Sequence, residues 1–318
     1  MAERLIRAVH RAGAGSLRAT LFYPADPAGL AAARLTGTVP PAAGDPLPIV
    51  VLAPGINVAP GSYRRLATRL AGAGLVVAVY SLIGDLGPVG DGITPGIDLG
   101  ALAPGIAGTR PSAPVLGEVI DLVAADPLLG GATDPARLAF GGHSAGGTVA
   151  LQNAEPAWFP GVRAAFAYAG HTMAASGLGH GDAAVMPIPA ATPLLLLSGA
   201  RDGVIAASRD RYRSGDGDGG HESRHEPVRR TFEDAIGAPC GDCWWIELAD
   251  GVHFTPCDPV DETSGRSFLD PADPPRRAET GRLLGDLLLA FLLEHLAGGP
   301  ARLGDLVDRP GVSAWARR

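Results

Sequence analysis

Lysine is missing altogether: all 26 basic residues are arginine, against 33 acidic ones, and the formal charge is −7. We read the missing lysine as codon bias of a GC-rich genome and draw no chemistry from it. The acidic balance excludes the broad basic footprint of a nucleic-acid binder. Cysteine is scarce, and three cannot all pair within one chain. Long apolar runs are missing too. The longest, Leu283 to Leu293, is broken by Gly285 and Asp286, so no segment approaches the ~18 apolar residues that mark a membrane span. Met1 to Gly13 alternates Arg with small apolar residues and holds no hydrophobic stretch of roughly 7–15 residues, so no secretory signal is visible. The expectation is a soluble, cytoplasmic protein, or a secreted one if a leader has been removed.

What is present is enough for a core. Hydrophobic residues make up 46% and charged residues 19%, which excludes wholesale disorder. Gly (45) and Pro (29) stay below the roughly 25–30% share of a low-complexity chain, so irregular loops between ordinary elements are expected. At ~150 residues per domain, 318 residues would allow two. No composition break divides the chain and no repeat is found, so one domain over 1–318 is expected, with its core at about 47–296. Two irregular insertions are expected, at about 81–111 and, rich in charge, at 208–230.

Ile49-Val50-Val51-Leu52, Leu75 to Tyr80, Arg137 to Phe140, Val162 to Tyr168, Pro193 to Ser198 and Trp244 to Leu248 read as strands, and Leu17 to Tyr23 as an earlier one. Continuous apolar runs of this kind suit strands buried on both faces of a parallel sheet. Between them, helical spacing covers Tyr63 to Leu70, Ser112 to Ala125 and Ala145 to about Ala154, and a last helix carries Leu283, Leu287 and Phe291 beside Leu284, Leu288 and Leu292. Alternating strands and helices predict an α/β fold, a mostly parallel central sheet with helices on both faces.

The strongest chemical signal is Gly142-His143-Ser144-Ala145-Gly146, after a predicted strand and opening a predicted helix. Such a turn strains the Ser backbone and leaves its hydroxyl exposed, while the helix start offers free N–H groups to an oxyanion. A Ser hydroxyl needs a base that a carboxylate orients. Asp202 follows the strand Leu194 to Ser198, and His253 follows Ile246-Glu247-Leu248, giving the order Ser, acid, His. His143 is read as packing, not as the base. His171, His180, His221 and His225 lie in irregular segments that end no strong strand.

On these motifs the chain resembles the α/β-hydrolase superfamily, from about Leu47 to Leu296, and within it the dienelactone-hydrolase-like, cutinase-like and chlorophyllase-like esterases. The resemblance implies one oxyanion donor at Ile56, after Pro54-Gly55, and a second at Ala145. Pro54-Gly55-Ile56-Asn57 with Tyr63 looks most like the chlorophyllase type. That branch takes its acid from the strand following the nucleophile helix, and here that strand ends Tyr168-Ala169-Gly170-His171, without a carboxylate. The acid at Asp202 instead matches the cutinase or dienelactone arrangement.

Cys240, Cys243 and Cys257 surround His253. Their spacing admits a structural zinc, a disulfide such as Cys243 with Cys257, or free buried thiols. Trp244-Trp245 is assigned to the core. The segments Ser81 to Pro111 and Tyr168 to Pro189 are expected at the carboxyl ends of the strands, offering apolar surface to substrate. The expected activity is hydrolysis of a small-molecule or lipid-like carboxylic ester, without cofactor or metal. The alternatives are a thioesterase, amidase or peptidase on the same triad, or a non-catalytic binding protein of this fold. Oligomeric state is not readable.

Overall fold

The computed structural model describes the chain apart from residues 1–4, 14–15, 27, 29–32, 36, 38, 190–191, 209–225, 238–239, 261–263, 265 and 273. Its ten strands are β1 (Leu5–Ala12), β2 (Leu17–Ala25), β3 (Leu47–Ala53), β4 (Val76–Asp85), β5 (Asp91–Thr94), β6 (Thr133–His143), β7 (Val162–Tyr168), β8 (Leu194–Gly199), β9 (Cys243–Leu248) and β10 (Val312–Arg317). They form one sheet in the order β1-β2-β4-β3-β6-β7-β8-β9-β10, with β5 paired to β4. The stretch β4-β3-β6-β7-β8-β9 is parallel throughout, and β1, β2, β5 and β10 join it antiparallel.

The apolar runs form the parallel strands because both faces are covered. Ile49, Val51 and Ala53 enter one apolar cluster, while Val50 and Leu52 enter the other. Leu194 and Leu196 alternate with Leu195 and Leu197 in the same way. The first face is covered by α2 (Val115–Ala124) and α3 (Ala145–Gln152), through Leu116, Val119 and Val149. The second is covered by α1 (Arg64–Gly72) and the long α5 (Arg277–Ala297), through Leu66, Leu70, Leu284, Leu288 and Phe291. Trp245 and Trp244 fall on opposite faces, both buried.

Three expectations need correction, and a fourth falls largely outside the described residues. The sheet reaches beyond 47–296 at both ends through β1, β2 and β10. The 81–111 segment is not wholly irregular: β4 runs on to Asp85 and turns back as β5, pairing Leu82 with Thr94 and Asp85 with Asp91. Of the 208–230 segment, residues 209–225, with His221 and His225, lie outside the described residues, and Glu226–Arg230 is helical. Cys240 is bonded to Cys243, Cα atoms 5.9 Å apart, and Cys257 is free and buried. Of the alternatives left open, the disulfide is the one found, between Cys240 and Cys243 and not the Cys243–Cys257 pair named as an example, so three free thiols are ruled out. It also takes two of the three thiolates a zinc site would use.

Candidate active site

Strand order brings the pieces together. Ala53 of β3 lies opposite Gly142 of β6 in parallel register, so Gly55 and Ile56, just past β3, arrive beside Ser144, just past β6. Ser144 sits at φ 56°, ψ −125° between β6 and α3. A non-Gly residue there is strained and persists only where its surroundings over-determine it. They do: its N–H donates to Tyr168 O (2.9 Å) and its carbonyl accepts from Gly147 N–H (2.8 Å). A Cβ at Gly142 would overlap the backbone of Gly146, and one at Gly146 the carbonyls of Ala53 and Pro54. The two glycines therefore allow the close passage that a sharp strand-to-helix turn demands.

Asp202 and His253 meet because β8 and β9 are parallel neighbours, Gly199 opposite Leu248. The ladder continues past both strand ends: Ala200 N–H donates to Leu248 O and Arg201 N–H to Gly251 O, each at 2.8 Å. Beyond it, His253 Nδ1 lies 2.9 Å from Asp202 Oδ2, with both residues buried. The other oxygen of Asp202 accepts from Ile205 N–H at 2.7 Å, in the first turn of α4 (Gly203–Ser208), so both oxygens of the carboxylate are engaged. With the Nδ1 proton turned to Asp202, Nε2 is the basic nitrogen of His253.

The His253 loop must return across the ends of β8 and β7 to approach Ser144, and two buried side chains hold it there. The hydroxyl of Tyr168, at the end of β7, donates to Val252 O at 2.7 Å. His143 Nε2–H donates to His253 O at 2.9 Å, with the two imidazole centres 4.8 Å apart. Burial, then the neighbouring His253, holds the pKa of His143 well below the ordinary imidazole range. His143 is thus neutral with one proton, on Nε2, and its Nδ1 accepts from the Tyr63 hydroxyl at 2.9 Å. That hydroxyl in turn accepts from Gly55 N–H at 2.9 Å. Burial raises the pKa of Tyr63 well above the usual phenol range, keeping the donated proton in place. A directed chain therefore runs from the Gly55 loop through Tyr63 and His143 to the backbone of His253.

Ser144, His253, Ile56 and Ala145 all line one cavity of about 340 Å3. No hydrogen bond joins Ser144 to His253 in this arrangement, a contact that such sites commonly tighten when substrate enters. Ala145 opens α3, where the first N–H groups have no partner inside the helix. Ile56 N–H makes no backbone hydrogen bond among the described residues, and the adjacent Asn57 (φ 57°) is tied to β5 by two bonds to Ile93.

The opposite wall comes from the two segments expected there. Leu102, Met173, Leu178 and Met186 line the cavity, and Leu102, Ala174 and Met186 form a small apolar cluster separate from both sheet cores. A hydrogen bond from His180 Nε2 to Leu102 O (2.6 Å) ties the two segments together, and the Met173–Val185 bridge folds the second back on itself. His171 also lines the cavity, its pKa pushed down to about 4 by burial. Neither Trp244 nor Trp245 does.

Sequence reading missed three polar partners here: Tyr63 and His143, whose polar atoms it did not pair, and Asp270. Asp270 Oδ1 accepts from Gly203 N–H and its Oδ2 from Phe254 N–H, both at 3.0 Å. Tyr63 at least carried a signal, a phenol buried on an otherwise apolar helical spacing. Asp270 follows the short turn Ser267–Leu269 and ends no strand.

In comparisons with known proteins, no protein-family model matches the chain, and no curated protein matches it.

Proposed function

We propose that the chain is a serine hydrolase of the α/β-hydrolase type that cleaves carboxylic esters of small or lipid-like molecules. The observation that carries this reading is the strained Ser144 turn opening on the same cavity as a His253 whose Nδ1 is engaged by the buried Asp202. His253 Nε2 takes the Ser144 proton as Oγ attacks the ester carbonyl. Negative charge then collects on the carbonyl oxygen, where the N–H groups of Ile56 and Ala145 meet it. Asp202 holds the tautomer of His253 and stabilises its charged form; the alcohol departs with the proton that His253 returns. Water enters by the same relay and releases the acid. The apolar Leu102, Met173 and Met186 wall supports an apolar group on one side of the scissile bond.

The test is fluorophosphonate labelling and hydrolysis of p-nitrophenyl esters of graded chain length, with wild type and Ser144→Ala. Labelling and turnover that disappear in a variant of unchanged melting temperature are the expected result. A folded wild type that neither labels nor hydrolyses any of the series overturns the reading.

A further inference from the structure

The carbonyl of His253 and the N–H of Phe254 belong to one peptide group, and two buried-facing side chains hold it from opposite sides. His143 Nε2–H donates to the carbonyl at 2.9 Å, and Asp270 Oδ2 accepts the N–H at 3.0 Å. The second oxygen of Asp270 accepts from Gly203 N–H, the residue directly after Asp202. One carboxylate thus ties the backbone following the candidate acid to the backbone following the candidate base. We propose that Asp270 is a positioning residue of this site: by bridging Gly203 and Phe254, against the hold of His143, it sets the approach of His253 to Asp202 and the aim of His253 Nε2 at Ser144.

The role rests on the serine-hydrolase reading, and the physical reason is geometric. His253 stands on a loop five residues past its strand, where a side-chain shift of ~1 Å can cost on the order of a hundredfold in rate. Fixing its peptide plane at both ends removes that freedom. The remaining charged and titratable groups around Asp270 are Asp202 and His253 from the two loops, Tyr168 from β7, Cys257 and Asp258, and Arg277 at the start of α5. Burial raises the pKa of Asp270, while the two N–H donors favour its charged form.

Asp270→Asn and Asp270→Ala are compared with wild type for kcat, KM and the low-field proton magnetic resonance of the His253 Nδ1–H. Asparagine keeps one acceptor and alanine none, so kcat is expected to fall roughly tenfold and roughly a hundredfold respectively, with KM within about threefold. The His253 Nδ1–H resonance moves or is lost in both, because the peptide that carries the ring is no longer held at both ends. Asp258→Asn, an exposed carboxylate on the same loop paired to Arg65, is the control and stays within about twofold. If the Asp270 variants do not fold, His143→Gln loosens the same peptide from its other side. It is expected to lower kcat about tenfold with KM within about threefold. Activity of Asp270→Asn within twofold of wild type with an unmoved Nδ1–H resonance, or wild-type kcat in His143→Gln, overturns the proposal. Should wild type prove inert on esters, the low-field resonance still decides: moved or lost in Asp270→Asn it supports the bridge while the hydrolase reading fails, and unmoved it overturns the bridge too.

Discussion

Tyr63→Phe removes a single oxygen that serves two buried partners. In its absence Gly55 N–H loses its acceptor and His143 Nδ1 loses its donor, and both residues are buried. A buried polar group left unpaired costs ~1–3 kcal/mol, so two cost ~2–6 kcal/mol. The phenyl ring keeps the apolar packing, and local relaxation recovers part, which leaves an expected loss of about 2–4 kcal/mol. Urea unfolding followed by fluorescence reads this directly, as a lower midpoint at unchanged slope. The same change frees the Gly55–Ile56 turn, so ester turnover is expected to fall about tenfold, through kcat more than KM, if Ile56 N–H meets the oxyanion. A stability loss below ~0.5 kcal/mol together with wild-type turnover would refute the directed chain from Gly55 to His253.

Asp202→Asn is expected to keep the fold and lower kcat by about 10³–10⁴-fold, because asparagine favours the wrong tautomer of His253; kcat near wild type assigns the acid elsewhere. His171, with a folded pKa of about 4 against ~6.5 unfolded, gives a pH prediction whose sign follows from proton counts. Below the unfolded pKa the unfolded chain binds the extra proton and the folded one does not, so stability falls from about pH 6.5 down to about 4. The span corresponds to an upper limit of roughly 3–4 kcal/mol. His171→Gln should lose that share of the acid destabilisation in urea titrations at pH 7, 5.5 and 4. Parallel curves for the two proteins would contradict it.

The parts of the fold readable from sequence are those whose side chains alone determine their state. Strands β3 and β6 to β9 are apolar on both faces, so an unbroken run announces them. Strands β1 and β10 lie at the two edges, and β10 alternates half-buried and exposed residues, a pattern little different from a polar tail. Strand β5 is four residues long with a glycine inside, and exists because β4 outruns its parallel neighbours. Ser144, Asp202 and His253 were legible because each stands just past a strong strand, where the topology of a parallel sheet gathers side chains. Asp270 was not, since its partners are backbone N–H groups some 67 and 16 residues away. The cysteine pairing likewise turns on distance: Cys240 and Cys243 share the bend entering β9, while Cys257 is buried in the second-face core.

The cavity wall made by Leu102, Met173, Leu178 and Met186 has an apolar nucleus apart from the two that hold the sheet. Its residues can therefore be exchanged without cutting into the framework that aims the reactive groups. On the serine-hydrolase reading, selection for other substrates would find its most variable region here. Changes should accumulate in residues 97–107 and 173–186 long before the turn at Ser144 or the strands beneath it can tolerate any. The two methionines on that wall are unbranched and polarizable, side chains that adapt readily to a neighbour's shape.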